Sequence, residues 1–207
     1  MLRFQHKVAA SHTCRYLPSS ASVRVGAMSE IVVQFSTTIN SLGNWASVII
    51  RHLSHSPFSH VDLELPGGAL LGASDNASAP VLTGNPRGVA VRPPDYQSFG
   101  RRCRMVIETP LAERVRAAAL SQLGKPFDNS ALRGFFSSAL PSARDWQSSD
   151  SWFCSELVVW AFQSADYWYP RPSIWPKNRI SPSDILMIFL FDPNWKNRET
   201  FWEQASE

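Results

Sequence analysis

Residues 151–160 read Ser-Trp-Phe-Cys-Ser-Glu-Leu-Val-Val-Trp, and this pattern predicts an apolar helix with Cys154 in its first turn. The unpaired N–H groups and the positive dipole end of a helix N-terminus favour a thiolate over a thiol. A cysteine held there can act as a nucleophile. Free cysteine is also a common core residue, and the position of Cys154 alone fits either role.

The length and composition of the chain indicate one globular domain. Its 207 residues suffice for a full core, and its hydrophobic content is 44%. Residues 1–27 hold four of the 20 basic residues and no acidic one, which leaves 16 basic against 17 acidic residues from Met28 onward. The basic character belongs to the leader, so no nucleic-acid partner is expected. We predict a disordered or artefactual leader at 1–27 and a single domain at 28–207.

The cysteines and the hydropathy of the chain exclude several classes of protein. Cysteines at positions 14, 103 and 154 show no C-x-x-C spacing, so we expect neither a zinc site nor a disulfide framework, and no cofactor. Cys103 lies in an alternating strand pattern and is expected to be structural. No stretch approaches the roughly 18 apolar residues that a membrane span requires. We expect a soluble protein without stable membrane insertion, made in the cytoplasm without a Sec signal.

Hydrophobic periodicity predicts a mixed α+β protein, because helical and strand patterns follow one another without regular alternation. A first strand is expected at Ile31–Phe35 and a first helix from Leu42 to Ser54. Residues 60–74 predict a hairpin with a Pro-Gly-Gly turn at 66–68. The remaining predicted elements are strands at 88–92 and around Cys103, a helix at 110–123 ended by Gly124, the Cys154 helix, and a last apolar strand at 185–191.

A thiolate nucleophile normally needs a base, and histidine is the usual one. All five histidines lie at or before position 60. His52, near the end of the first helix, and His55, in a Ser-rich loop, are expected to be structural. His60 opens a strand on which positions 60, 62 and 64 share one face. From this pattern, His60 fits the role of the base and equally that of an ordinary polar strand residue.

Four features, in this order, resemble the circularly permuted branch of the NlpC/P60 papain-like superfamily, the YiiX/YaeF-like amidases. They are Ser59-His60-Val61 opening a strand, the hairpin, Gly-Lys-Pro-Phe-Asp at 124–128, and Phe-Cys-Ser-Glu-Leu-Val at 153–158. The histidine-before-cysteine order marks the permuted branch. The resemblance implies a papain-like fold with a central antiparallel sheet packed against helices. It also implies an acyl-enzyme mechanism with Cys154 as nucleophile, its N–H as an oxyanion donor, and His60 as base.

The third member of the site departs from the family pattern. Relatives place a polar residue on the next strand to orient the imidazole, and that register falls here on Gly72. We therefore consider Glu64 and Ser74 for the orienting role, with Asp75 ranked below them.

Two further residues complete the predicted site. Gln34 on the first strand is a candidate second oxyanion donor, and Trp152 is a candidate for the wall of the substrate cleft.

The resemblance implies a cysteine amidase or peptidase that cuts peptide amide bonds of bacterial peptidoglycan. A phage-associated protein or a secreted antibacterial effector that degrades the cell wall would have this activity. It would act in the periplasm or cell wall after delivery without a Sec signal, with delivery machinery or an immunity protein as candidate partners. Two alternatives stay open: an LRAT-like thioester acyltransferase or acylhydrolase on lipids, and a non-catalytic structural module that retains the fold.

Overall fold

The computed structural model describes residues 28–38, 50, 52, 55–97, 99–129, 150–167, 180–198 and 202–204. The strands within them are β1 Ser29–Thr38, β2 His60–Glu64, β3 Leu70–Ser74, β4 Thr83–Gly84, β5 Gly88–Arg92, β6 Phe99–Thr109 and β7 Trp202–Gln204. The helices with bounds in the described ranges are α1 Ala112–Leu120, α2 Cys154–Ser164 and α3 Pro182–Leu190. The predicted α+β class is confirmed.

The strands form one antiparallel sheet in the order β4-β5-β3-β2-β1-β6-β7, with the predicted hairpin β2–β3 near its middle. Alternation along each strand separates a core face from a polar face. Val33 and Phe35 of β1 and Val61 and Leu63 of β2 are fully buried in the core, and residues of all three helices join the same cluster. His60 and Asp62 alternate with these core residues and belong to the other face of β2.

The predicted last strand is wrong, because residues 182–190 form helix α3. Ser181 accepts a hydrogen bond from the Asp184 N–H, and the Asp184 side chain accepts one from the Ser181 N–H. This reciprocal capping box, with Pro182 at the first helical position, satisfies donors that a helix start leaves open. These start signals override the strand preference of the apolar run that follows.

Two predicted segments cannot be compared with the structure. The leader at 1–27 lies outside the described residues. Of the predicted first helix, only Ile50 and His52 are described, and both are helical. In the described part of the chain, no helix combines the length and the hydrophobicity needed to cross a membrane.

Candidate active site

The candidate nucleophile Cys154 and the candidate base His60 lie close together, each at the start of a secondary-structure element. Cys154 is the first residue of α2 and His60 the first of β2, and both are buried. After burial, which lowers the pKa of His60, and Asp62, which raises it, the charge of Cys154 and a hydrogen bond to it also raise this pKa, so the two side chains are close enough to interact. His52 and His55, the other histidines among the described residues, are exposed.

The segment before Cys154 is fixed by Trp152. The Trp152 N–H donates to the Pro126 carbonyl at 3.0 Å, and its carbonyl accepts from the Asp128 N–H at 3.0 Å. The indole packs on Trp160 of α2, with ring centroids 5.1 Å apart. Phe153 is extended, and the chain turns helical at Cys154. The sulfur is thereby held at the helix N-terminus, as the sequence predicts.

Asp62 is the carboxylate that contacts the candidate base, and sequence reasoning missed it. The His60 Nε2 atom lies 3.0 Å from Asp62 Oδ1, and the Asp62 side chain is fully buried. Residues two apart on a strand share a face, so the alternation at 60, 62 and 64 already contained this signal. The sequence-based prediction instead names Glu64, the next position on that face of β2, and Ser74 on β3.

Gly72 leaves the space that the Asp62 carboxylate fills. A Cβ atom at position 72 would lie 1.8 Å from Asp62 Oδ1 and 2.9 Å from its Cγ. Any side chain on β3 at this position would displace the carboxylate from His60. The glycine in the expected place of the orienting residue is therefore compatible with an ordered imidazole, because β2 itself supplies the carboxylate.

The groups around the His60 imidazole determine its charge. Burial, the largest influence, lowers the pKa of His60, but the charges of Asp62 and Cys154 and hydrogen bonds to both outweigh it. The pKa of His60 consequently rises from 6.5 to about 10, and the imidazole is cationic at neutral pH. With Nε2 engaged by Asp62, Nδ1 is the ring nitrogen that remains for Cys154.

The two residues predicted to orient His60 make other contacts. Glu64 accepts two hydrogen bonds from Arg104, at 2.8 and 2.6 Å, in a bidentate ion pair. The Ser74 hydroxyl accepts the Asn76 N–H at 3.2 Å and so closes the turn after β3. Asp75, the lower-ranked candidate, is exposed. The structure does not bring these three side chains to the imidazole.

Gln34 and Trp152, the other two predicted site residues, are both buried. Gln34 pairs with Asp62 in the β1–β2 register, and its buried Nε2 has no hydrogen-bond partner within the described residues. It is thus a cross-strand neighbour of Asp62, and its role as a second oxyanion donor stays a prediction. Trp152 is buried, and its indole N–H donates to Gln122 Oε1 at 3.2 Å, which makes it an anchor of the helix start.

The described part of the chain holds no cluster of three or more His, Cys, Asp or Glu residues arranged for a metal ion. No protein-family model matches the chain, and a search of curated proteins also finds no match.

Proposed function

We propose that this protein is a cysteine hydrolase, an amidase or peptidase that acts through an acyl-enzyme. The observation that carries the proposal is that Cys154, at a helix start, interacts with a buried His60 held by Asp62. A cationic imidazole and a helix N-terminus next to a sulfur both favour the nucleophilic thiolate. Ordinary core packing of a cysteine requires neither a buried histidine nor a carboxylate behind it.

Acylation begins with attack of the Cys154 thiolate on an amide carbonyl carbon. A C–S bond forms, and the carbonyl electron pair moves to oxygen, where the Cys154 N–H at the helix start is a donor for the oxyanion. The tetrahedral intermediate collapses as the C–N bond breaks. The leaving nitrogen takes the proton from His60 Nδ1, so an amine departs and a thioester and a neutral imidazole remain.

Deacylation restores the starting charges. His60 Nδ1 accepts a proton from water, whose oxygen attacks the thioester carbonyl carbon. The C–S bond then breaks, and its electron pair returns to sulfur. A carboxylic acid leaves, and the imidazolium and the thiolate are regenerated. Asp62 keeps the Nε2 proton in place in both steps, which leaves Nδ1 to exchange protons with substrate and water.

The proposed substrate is a peptide amide bond of bacterial peptidoglycan, and the support for it is the sequence resemblance to permuted NlpC/P60 amidases. In this proposal the protein acts in the periplasm or cell wall as a phage-associated or secreted antibacterial protein. Delivery machinery, and an immunity protein in the producing cell, are the partners that such a role requires.

Digestion of purified peptidoglycan, followed by mass analysis of the released fragments, tests the proposal. We expect release by the wild type and none by Cys154→Ala or His60→Ala. Cys103→Ala is the matched control, because Cys103 is fully buried in β6 within the core and burial raises its pKa to about 12. Equal release by all variants would exclude Cys154 catalysis. Inactivity on peptidoglycan with Cys154-dependent acyl transfer from a lipid ester would favour the LRAT-like alternative.

A further inference from the structure

We propose that Tyr96 is a positioning residue of this site, whose hydroxyl holds the Asp62 carboxylate and the His60 ring together through hydrogen bonds to both. The inference rests on the proposed function and adds a fourth member to the site. Tyr96 lies between β5 and β6, far from His60 in the sequence, and it carries no motif that would reveal it there.

Tyr96 contacts both members of the buried pair. Its hydroxyl oxygen lies 2.9 Å from His60 Nε2, and the hydroxyl donates to Asp62 Oδ2 at 3.2 Å. The side chain is buried and packs with Leu70 and Ala79. The carboxylate therefore has one oxygen held by the imidazole and the other by the phenol.

The hydrogen-bond donors and acceptors at this hydroxyl keep a proton on Nε2, both in the cationic imidazole and in the neutral ring that remains after Nδ1 gives up its proton. The Tyr96 proton goes to Asp62 Oδ2, and the Gln97 side-chain amide donates to the Tyr96 oxygen at 3.2 Å. The oxygen also lies 2.9 Å from His60 Nε2, within reach of the Nε2–H. That proton thus lies between two acceptors, Asp62 Oδ1 at 3.0 Å and the Tyr96 oxygen at 2.9 Å. A proton so held stays on Nε2 and leaves Nδ1 for the sulfur.

The surrounding charges keep Tyr96 in its donor form. Burial, the largest influence, and the charge of Asp62 raise the pKa of Tyr96 well above its usual range, although the charge of Arg92 opposes them. The Arg92 guanidinium of β5 lies 5.4 Å from the ring centroid and donates to the Gly72 carbonyl at 2.9 Å. The groups that face His60 are accordingly Asp62 on its own strand, Cys154 on α2 and Tyr96, with Arg92 behind the phenol ring.

Tyr96→Phe tests the inference, because it removes the hydroxyl and keeps the ring. The measurement is the rate of Cys154 alkylation by iodoacetate as a function of pH, read by mass spectrometry of the Cys154 peptide. The alkaline limb of this profile follows loss of the imidazolium proton, since that cation attracts the anionic reagent. Because Tyr96→Phe removes one acceptor of the Nε2 proton, the imidazolium should lose a proton at lower pH. We therefore expect the alkaline limb of the profile to move to lower pH by about one unit. Hydrolysis should lose about tenfold in kcat with KM unchanged.

Tyr167→Phe is the matched control. Its hydroxyl also donates to a carboxylate, Asp192 Oδ2 at 2.8 Å, and accepts from the Asn194 amide at 3.2 Å, and neither partner belongs to the candidate site. Gln97→Ala removes the amide that orients the Tyr96 hydroxyl without touching the ring, and it should shift the limb the same way by a smaller amount. A limb that stays at its wild-type position in both Tyr96→Phe and Gln97→Ala overturns the inference. The proposed function fails separately, when Cys154→Ala keeps its hydrolysis.

Discussion

Gly72→Ala is the change that most directly tests how this site is built. The alanine Cβ would lie 1.8 Å from Asp62 Oδ1, whereas real Cβ atoms essentially never approach within 3.0 Å of another heavy atom. The oxygen must therefore withdraw by at least 1.2 Å, the difference between these two distances. Its present distance from His60 Nε2 is 3.0 Å, near the middle of the hydrogen-bonding range, so such a displacement breaks the bond unless the ring follows.

Two magnitudes follow from this displacement. Overpacking a buried site costs about 1–3 kcal/mol of stability. A shift of about 1 Å in a positioned group lowers a catalysed rate by about 100-fold, so hydrolysis should fall by that factor. In the Asp62→Ala background the obstacle is gone, because the nearest remaining atom of residue 62 is Cβ at 3.6 Å, an ordinary contact. There Gly72→Ala should be neutral, or stabilising by up to about 1 kcal/mol.

Chemical denaturation of the wild type, both single variants and the double variant measures this coupling as a double-mutant cycle. We expect a coupling free energy of about 2 kcal/mol, with the double variant more stable than the sum of the single changes predicts. The reasoning is refuted if Gly72→Ala costs the same free energy of unfolding in the wild-type and Asp62→Ala backgrounds. A stable Gly72→Ala protein with wild-type hydrolysis would refute the orienting role of Asp62.

Three further predictions follow from the contacts described above. Asp62→Asn should lower the rate of hydrolysis by about 100- to 10,000-fold, because Asp62 holds the imidazole of His60. Glu64→Gln should leave the rate nearly unchanged, because the Glu64 carboxylate is paired with Arg104. Initial rates of hydrolysis measure both effects. The pKa of His60 is about 10 in the folded protein against 6.5 for a free histidine, so between these pH values the folded protein keeps a proton that the unfolded chain loses. The free energy of unfolding should therefore fall as the pH rises through this window. Denaturation curves of His60→Gln at several pH values should lack that part of the pH dependence. Ser181→Ala removes the cap of α3 and should cost about 1 kcal/mol in the same measurement.

The sequence predicts those parts of the fold that local chemistry determines. The alternation at 60–65 and the Gly67–Gly68 turn give the hairpin, because each signal acts within a few residues. Helix α3 shows the limit of periodicity, since the apolar run of seven residues at 185–191 fits a buried strand or a buried helix equally well. The capping residues Ser181 and Asp184 distinguish the two, and they stand outside the apolar run.

The residues of the candidate site also divide into those that a local sequence signal predicts and those that it does not. Cys154 at a helix start and His60 at a strand start are local features, and so is the shared face of His60 and Asp62. Tyr96 has no such signal, because its place beside the imidazole depends on how the chain between β5 and β6 folds back over the sheet. The interpretation of Gly72 as a missing orienting residue fails for a related reason. The sequence shows only that position 72 has no side chain, whereas the structure shows that the Asp62 carboxylate fills the space beside it.

The placement of the carboxylate on the same strand as the histidine has a consequence for how the site tolerates change. A partner on β3 would depend on the hairpin register, where a slip of one residue turns a side chain to the opposite face. The spacing of His60 and Asp62 does not depend on the register of β3, which needs only to leave room for the carboxylate at Gly72. The cost is a fully buried carboxylate that needs donors on both oxygens, which His60 and Tyr96 supply. The contact of α2 with the sheet then sets one remaining distance, between the sulfur and the imidazole, and substitutions at that interface should alter thiol reactivity before they alter the His60–Asp62 pair.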